Sequence, residues 1–156
     1  MIKTVIAASL LPLTIGSAYA GAWQPSPGQD ADAPRAVYTE TEAGTALLTC
    51  NGDGQFTAIL SQVTEDFPAT MKKPAPYRRA VDVEITTPER ETEAKWVSIP
   101  AIDTIISASH SSAVKIFNSV VKGEALDVDV EGKDFVTLDL PAVDDSFKAF
   151  AKTCRS

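Results

Sequence analysis

Ser109, His110, Ser111 and Ser112 stand side by side, and a serine hydroxyl beside an imidazole is the raw material of nucleophilic hydrolysis. That chemistry needs the ring within hydrogen-bond reach of one hydroxyl and an acid behind the ring, a geometry that chain neighbours seldom make by themselves. The competing reading is structural: the serines cap a helix and His110 sits in or near its first turn. We take the structural reading and assign no catalytic residue, which leaves a serine hydrolase using His110 as the last alternative. His110 is the only histidine, and the chain has no Gly-rich phosphate loop, no paired-cysteine motif and no helical histidine pair for zinc. Neither a cofactor nor a metal is expected. Asn51-Gly52-Asp53-Gly54 sets oxygen ligands beside glycine, but it lacks the length and closing glutamate of a calcium loop and reads as a tight turn.

Two charged groups suit binding better than catalysis. Lys72, Lys73, Arg78 and Arg79 gather positive charge around Tyr77, in a stretch stiffened by Pro74 and Pro76. Such a loop can recognise an anionic ligand or partner, or it can neutralise the chain's own Glu89, Glu91 and Glu93. Asp127, Asp129 and Asp139 form the other group, with Glu131 beside them. If they lie on paired strands, like charges face each other, and a cation, a lysine, a basic partner or simple hydration must relieve the repulsion.

The bulk properties narrow the partners. The formal net charge is −7. This sign argues against nucleic acid and anionic membrane surfaces, which reward basic patches. Residues 1–20 read as a secretory signal: Lys3 supplies the basic start, an apolar run follows, and Ala18 and Ala20 are the small residues before a cut at Gly21. No later stretch is long enough to span a membrane. Two cysteines in an exported chain predict one disulfide, Cys50 to Cys154, with two buried free thiols as the competing reading.

The elements that position these groups follow from periodicity. Residues 21–35 hold three prolines and no hydrophobic period, so they read as a flexible arm, with Trp23 the one residue suited to tucking onto the domain. Residues 36–156 read as a single globular domain. Strands are expected at 36–41, 45–50 and 55–61, the last two paired so that Cys50 faces Phe56, Leu48 faces Ala58 and Ala46 faces Leu60. Residues 81–86 alternate as a strand, 88–93 read as a charged turn, and 95–99 and 102–107 are further strand candidates. Ala113, Ile116, Phe117, Val120 and Val121 carry helical spacing, with Ser109 or Ser111 as the cap and Gly123 as the stop. A terminal hairpin pairs Leu126 with Leu140, Val128 with Leu138 and Val130 with Val136. That register sets Asp127 against Asp139. A closing helix then brings Phe147, Phe150, Ala151 and Cys154 onto one face.

This order of features resembles small exported bacterial proteins of the invasion-associated locus B type and the periplasmic VasI-like proteins associated with type VI secretion. The resemblance rests on Leu47-Leu48-Thr49-Cys50, Tyr77-Arg78 before Val81-Asp82-Val83, Trp96, Phe117, Val120-Val121-Lys122-Gly123, residues 135–140, Phe147 and Cys154. It departs in lacking the extra cysteines common in the first family and in having Pro141-Ala142-Val143 where a Gly-Phe pair is often found. It implies a β-sandwich-like, non-enzymatic envelope protein and carries over no catalytic residue.

The expected molecule is therefore mainly β: a single antiparallel, β-sandwich-like domain with two short helices, closed by one disulfide. Its expected role is that of a periplasmic or secreted binding or accessory protein acting through a surface loop, with another envelope protein as partner. The alternative role is an acidic inhibitor of a basic envelope enzyme.

Overall fold

The computed structural model describes residues 21–62, 78–99, 102–131 and 135–155. Residues 1–20, read above as a secretory signal, Lys72, Lys73, Tyr77 and residues 132–134 lie outside the described residues. The strands are β1 (Gln24–Pro25), β2 (Ala36–Thr41), β3 (Gly44–Cys50), β4 (Phe56–Ser61), β5 (Arg79–Thr87), β6 (Arg90–Ile99), β7 (Thr104–Ser107), β8 (Leu126–Val130) and β9 (Phe135–Leu138). Helix α1 (His110–Lys122) joins β7 to β8, and α2 (Asp145–Cys154) closes the chain. All pairings are antiparallel, in one nine-stranded sheet of order β1-β2-β3-β4-β7-β6-β5-β8-β9. Strand β7 pairs with both β4 and β6, so the ladder has no break at which two layers could separate. The sandwich-like expectation thus resolves into one sheet curled as a half-barrel.

Alternation decides which face is core. Leu48 and Ala46 of β3, Leu60 of β4, Val83 of β5, Trp96 of β6 and Val128 of β8 are all fully buried on the concave side. Helix α1 adds Ala113, Ile116, Phe117 and Val120 to that core, and α2 adds Phe147 and Phe150. Both helix starts are fixed by short oxygen side chains. Ser109 Oγ accepts the Ser112 N–H, and Asp144 Oδ1 accepts the Phe147 N–H at 2.9 Å. Gly123 ends α1 at φ +69, a conformation that favours glycine.

The β3–β4 hairpin has the expected register, Cys50 with Phe56, Leu48 with Ala58 and Ala46 with Leu60. Its turn is set by Asn51, whose Oδ1 accepts the N–H groups of Asp53 and Gln55, and by Gly54 at φ +72. The same two bonds give the Asn51 oxygen a structural use in place of the calcium reading. The disulfide joins Cys50 at the end of β3 to Cys154 at the end of α2, with 5.9 Å between the Cα atoms.

Three expectations are corrected. The first concerns the terminal hairpin: Leu126 pairs with Leu138 and Asp127 with Thr137, two residues away from the expected register. A slip of two keeps every side chain on its face, so alternation alone cannot detect it. The second concerns the charged turn at 88–93, because β6 begins at Arg90 and only Pro88 and Glu89 make the turn. Its exposed charges alternate with residues facing the concave side, which is the pattern of a strand. The third concerns the arm, which is laid along β2 through β1 instead of hanging free. Trp23 anchors it: the ring is 1% exposed and lies 5.1 Å from Phe147, and Nε1–H donates to the Pro141 carbonyl at 3.0 Å.

No described helix is long and apolar enough to cross a membrane.

Candidate functional site

His110 finishes a sheet edge. Strand β4 pairs with β7 only from Ile59 to Ser61, which leaves the Phe56 and Ala58 N–H groups beyond the ladder. His110 Nδ1 accepts the first at 2.8 Å and the buried Ser107 Oγ accepts the second at 2.9 Å. The imidazole also stacks on the Phe56 ring, centroids 5.6 Å apart. Ser109 Oγ meanwhile bonds to the hydroxyls of Ser111 and Ser112 at 3.0 and 2.9 Å. No serine hydroxyl bonds to His110 among the described residues, so the string of four does not assemble as a nucleophile and its base.

Of the basic loop, Arg78 and Arg79 are described, and both are exposed. Arg79 opens β5 and pairs with Glu131 across 2.9 Å. Arg79 thus meets one of the chain's own acids, Glu131, and not Glu89, Glu91 or Glu93.

The acidic residues are redistributed by the true register. Asp139 lies past the end of β9 and is exposed, while Asp127 takes a hydrogen bond of 2.5 Å from Thr137 Oγ1. The expected Asp127–Asp139 repulsion is absent because the two are not opposite. A different row replaces it. On the convex face Glu84 of β5 is paired with Glu93 of β6 on one side and with Asp129 of β8 on the other. Asp129 is 6% exposed, so the row runs from solvent into a covered position. Asp82 in the next row is answered by Lys95.

Beyond β6 the same convex face changes character. Tyr38, Leu47, Ile59, Ile106 and Val97 are successive cross-strand partners on β2, β3, β4, β7 and β6. All five are half-buried, and none belongs to the core or to the residues packed against it. Four strand spacings make this row about 19 Å long. Threonines flank it, with Thr49 facing Thr57 on one side. Sequence periodicity concentrates attention on the alternating core face and passes over this second one. The available signal is a set of apolar doublets, Leu47-Leu48, Ile59-Leu60, Trp96-Val97 and Ile105-Ile106, each placing one residue on either side of its strand.

At the open end of the concave face, Lys122 of α1 bonds to Glu89 and lies 3.7 Å from Glu124. The hydrogen bond from Lys122, then its charge, hold the Glu89 carboxyl below its ordinary range. The reciprocal bond raises the Lys122 ammonium. A lowered acid supports folding above its unfolded value and loses that support as pH falls through its folded value; the raised lysine loses its support as pH rises through its own. Both side chains are exposed, so the pair is strongly screened. Lys122→Met is expected to return the Glu89 carboxyl upward to the ordinary range, followed as its side-chain carbon shift in an NMR pH titration.

No family model matches this chain, and no curated protein or solved structure matches it.

Proposed function

We propose that the protein is an exported, non-enzymatic accessory protein that docks another envelope protein through the convex face of its sheet. The observation that carries this reading is the apolar row Tyr38, Leu47, Ile59, Ile106 and Val97; on the same face of β6, two positions along from Val97 and past Lys95, Glu93 stands opposite Glu84. An apolar row on the solvent side of a sheet adds nothing to the core and gains when a partner covers it. Glu84 directly opposite Glu93 weakens the sheet unless a counter-charge arrives. The matching partner surface is apolar at its centre and basic at one side, as complementarity requires. The disulfide fits an oxidising compartment, and the resemblance to invasion-associated locus B type and VasI-like proteins supports the same placement.

A second reading, an acidic inhibitor of a basic envelope enzyme, is favoured by the carboxylate row taken alone. Immobilised wild-type protein, Ile59→Asp, the double variant Glu84→Lys/Glu93→Lys and Arg78→Glu/Arg79→Glu, each challenged with the same envelope extract, separate the readings. Docking through the whole face predicts a captured protein lost from the first two variants and retained by the third. Retention by Ile59→Asp, with capture abolished by the lysine variant and by 0.5 M salt, transfers the conclusion to the inhibitor. Loss confined to the arginine variant returns it to the basic loop.

A further inference from the structure

The concave face does not end where the core ends. Ile85 is the last buried residue of β5 on that side, and its cross-strand partner is Thr92. The next pair outward, Thr87 with Arg90, faces the same way and is polar. Across from this lip, Lys115, Asn118, Ser119 and Lys122 fall at i, i+3, i+4 and i+7 of α1 and form one polar stripe beside the apolar stripe that enters the core. Between the lip and the stripe lies a cleft of about 330 Å³. Two packed elements normally meet through apolar side chains. Here both present donors and acceptors to a shared space.

The charges in the cleft are unevenly matched. Lys122 is engaged by Glu89 and Glu124. Arg90 and Lys115 make no ion pair among the described residues, although the chain as a whole carries net charge −7. An acidic protein has carboxylates to spare for neutralising two cations. With Lys122 they outnumber the lining carboxylates Glu89 and Glu124 by three to two, so the cleft carries a small positive charge in an acidic molecule.

We infer that this cleft binds a compact polyhydroxylated anion, the chemistry shared by sugar acids and sugar phosphates. Arg90 supplies a planar fork that suits a carboxylate or phosphate, and Lys115 supplies a second charge of the same sign. Thr92 and Asn118 offer hydroxyl and amide groups for the body of the ligand, and Ile85 gives it an apolar floor, while the buried Ser119 hydroxyl is already given to the Lys115 carbonyl. The volume lies at the lower end of the range for small-molecule sites, which suits a single sugar ring. This site is on the opposite side of the sheet from the proposed docking face and stands independently of it.

The test is a titration of the isotopically labelled protein with D-glucuronate, with glucose 6-phosphate and with glucose, followed by backbone amide shifts. At least one anion is expected to shift the amides of Arg90, Thr92 and Asn118 and to bind at least tenfold more tightly than glucose. Which anion does so identifies the carboxylate or the phosphate as the recognised group. Arg90→Gln with Lys115→Gln is expected to weaken that binding at least tenfold while the thermal melt stays unchanged, since both side chains lie outside the core. The inference is overturned if neither anion shifts these amides, if glucose binds as well as both anions, or if the double variant binds as tightly as the wild type.

Discussion

Replacing Cys50 and Cys154 together by serine is expected to lower the unfolding free energy by about 2–5 kcal/mol, seen as a lower urea midpoint. The two residues are 104 positions apart, so the bridge closes a very long loop. For a loop of roughly 100 residues the chain-entropy model puts the effect near 4.7 kcal/mol, and native bridges in secreted domains fall in the range given. The local structure is built around the bond. Cys50 and Cys154 are both buried, and Gly54 passes so near the helix end that a Cβ there would lie 2.9 Å from the Cys154 carbonyl oxygen. Mass spectrometry after alkylation without reduction is expected to leave both thiols unlabelled. An unchanged midpoint in the serine variant would show that the closure of the fold resides elsewhere.

The second large effect is expected at Trp23. Trp23→Ala removes a fully buried ring from its contact with Phe147 and should cost about 3–5 kcal/mol. Trp23→Phe keeps most of the packing but loses the donor to the Pro141 carbonyl, so about 1–2 kcal/mol is expected, measured by the same urea titrations. Trp23 and the disulfide hold opposite ends of α2. Loss of one loosens the helix that the other must grip, so the combined variant is expected to fall short of the sum of the two effects. Full additivity would mean that α2 stays docked on its core contacts alone.

The contrast between these elements explains what the sequence could reveal. The β3–β4 register was legible because Asn51 and Gly54 fix both the loop length and the turn geometry. The β8–β9 register was not, because a two-residue slip leaves Val128 and Leu126 facing the core either way. Helix α1 was legible from its cap, stop and stripe, and α2 from its stripe alone. Strand β6 was half-hidden because Arg90, Glu91 and Glu93 imitate a solvated turn when read without their partners. The convex row and the cleft share a further cause. The row is completed by the pairing of β4 with β7 and the cleft by α1 standing across from the β5–β6 turn, and no local pattern can announce either contact.

Asp144 has a consequence for how the chain reaches this structure. One of its carboxylate oxygens caps α2, and the other accepts the Trp23 N–H at 2.8 Å, a contact spanning 121 residues. Strand β1, the last helix and the bridge between Cys50 and Cys154 are therefore completed by the same C-terminal segment. Contacts of such span form slowly, because loop-closure entropy opposes them until both ends are present. During synthesis the early strands must wait for the last turn before the two ends can be joined. A polypeptide with this wiring stays open until α2 has been made, and it locks only when that helix docks.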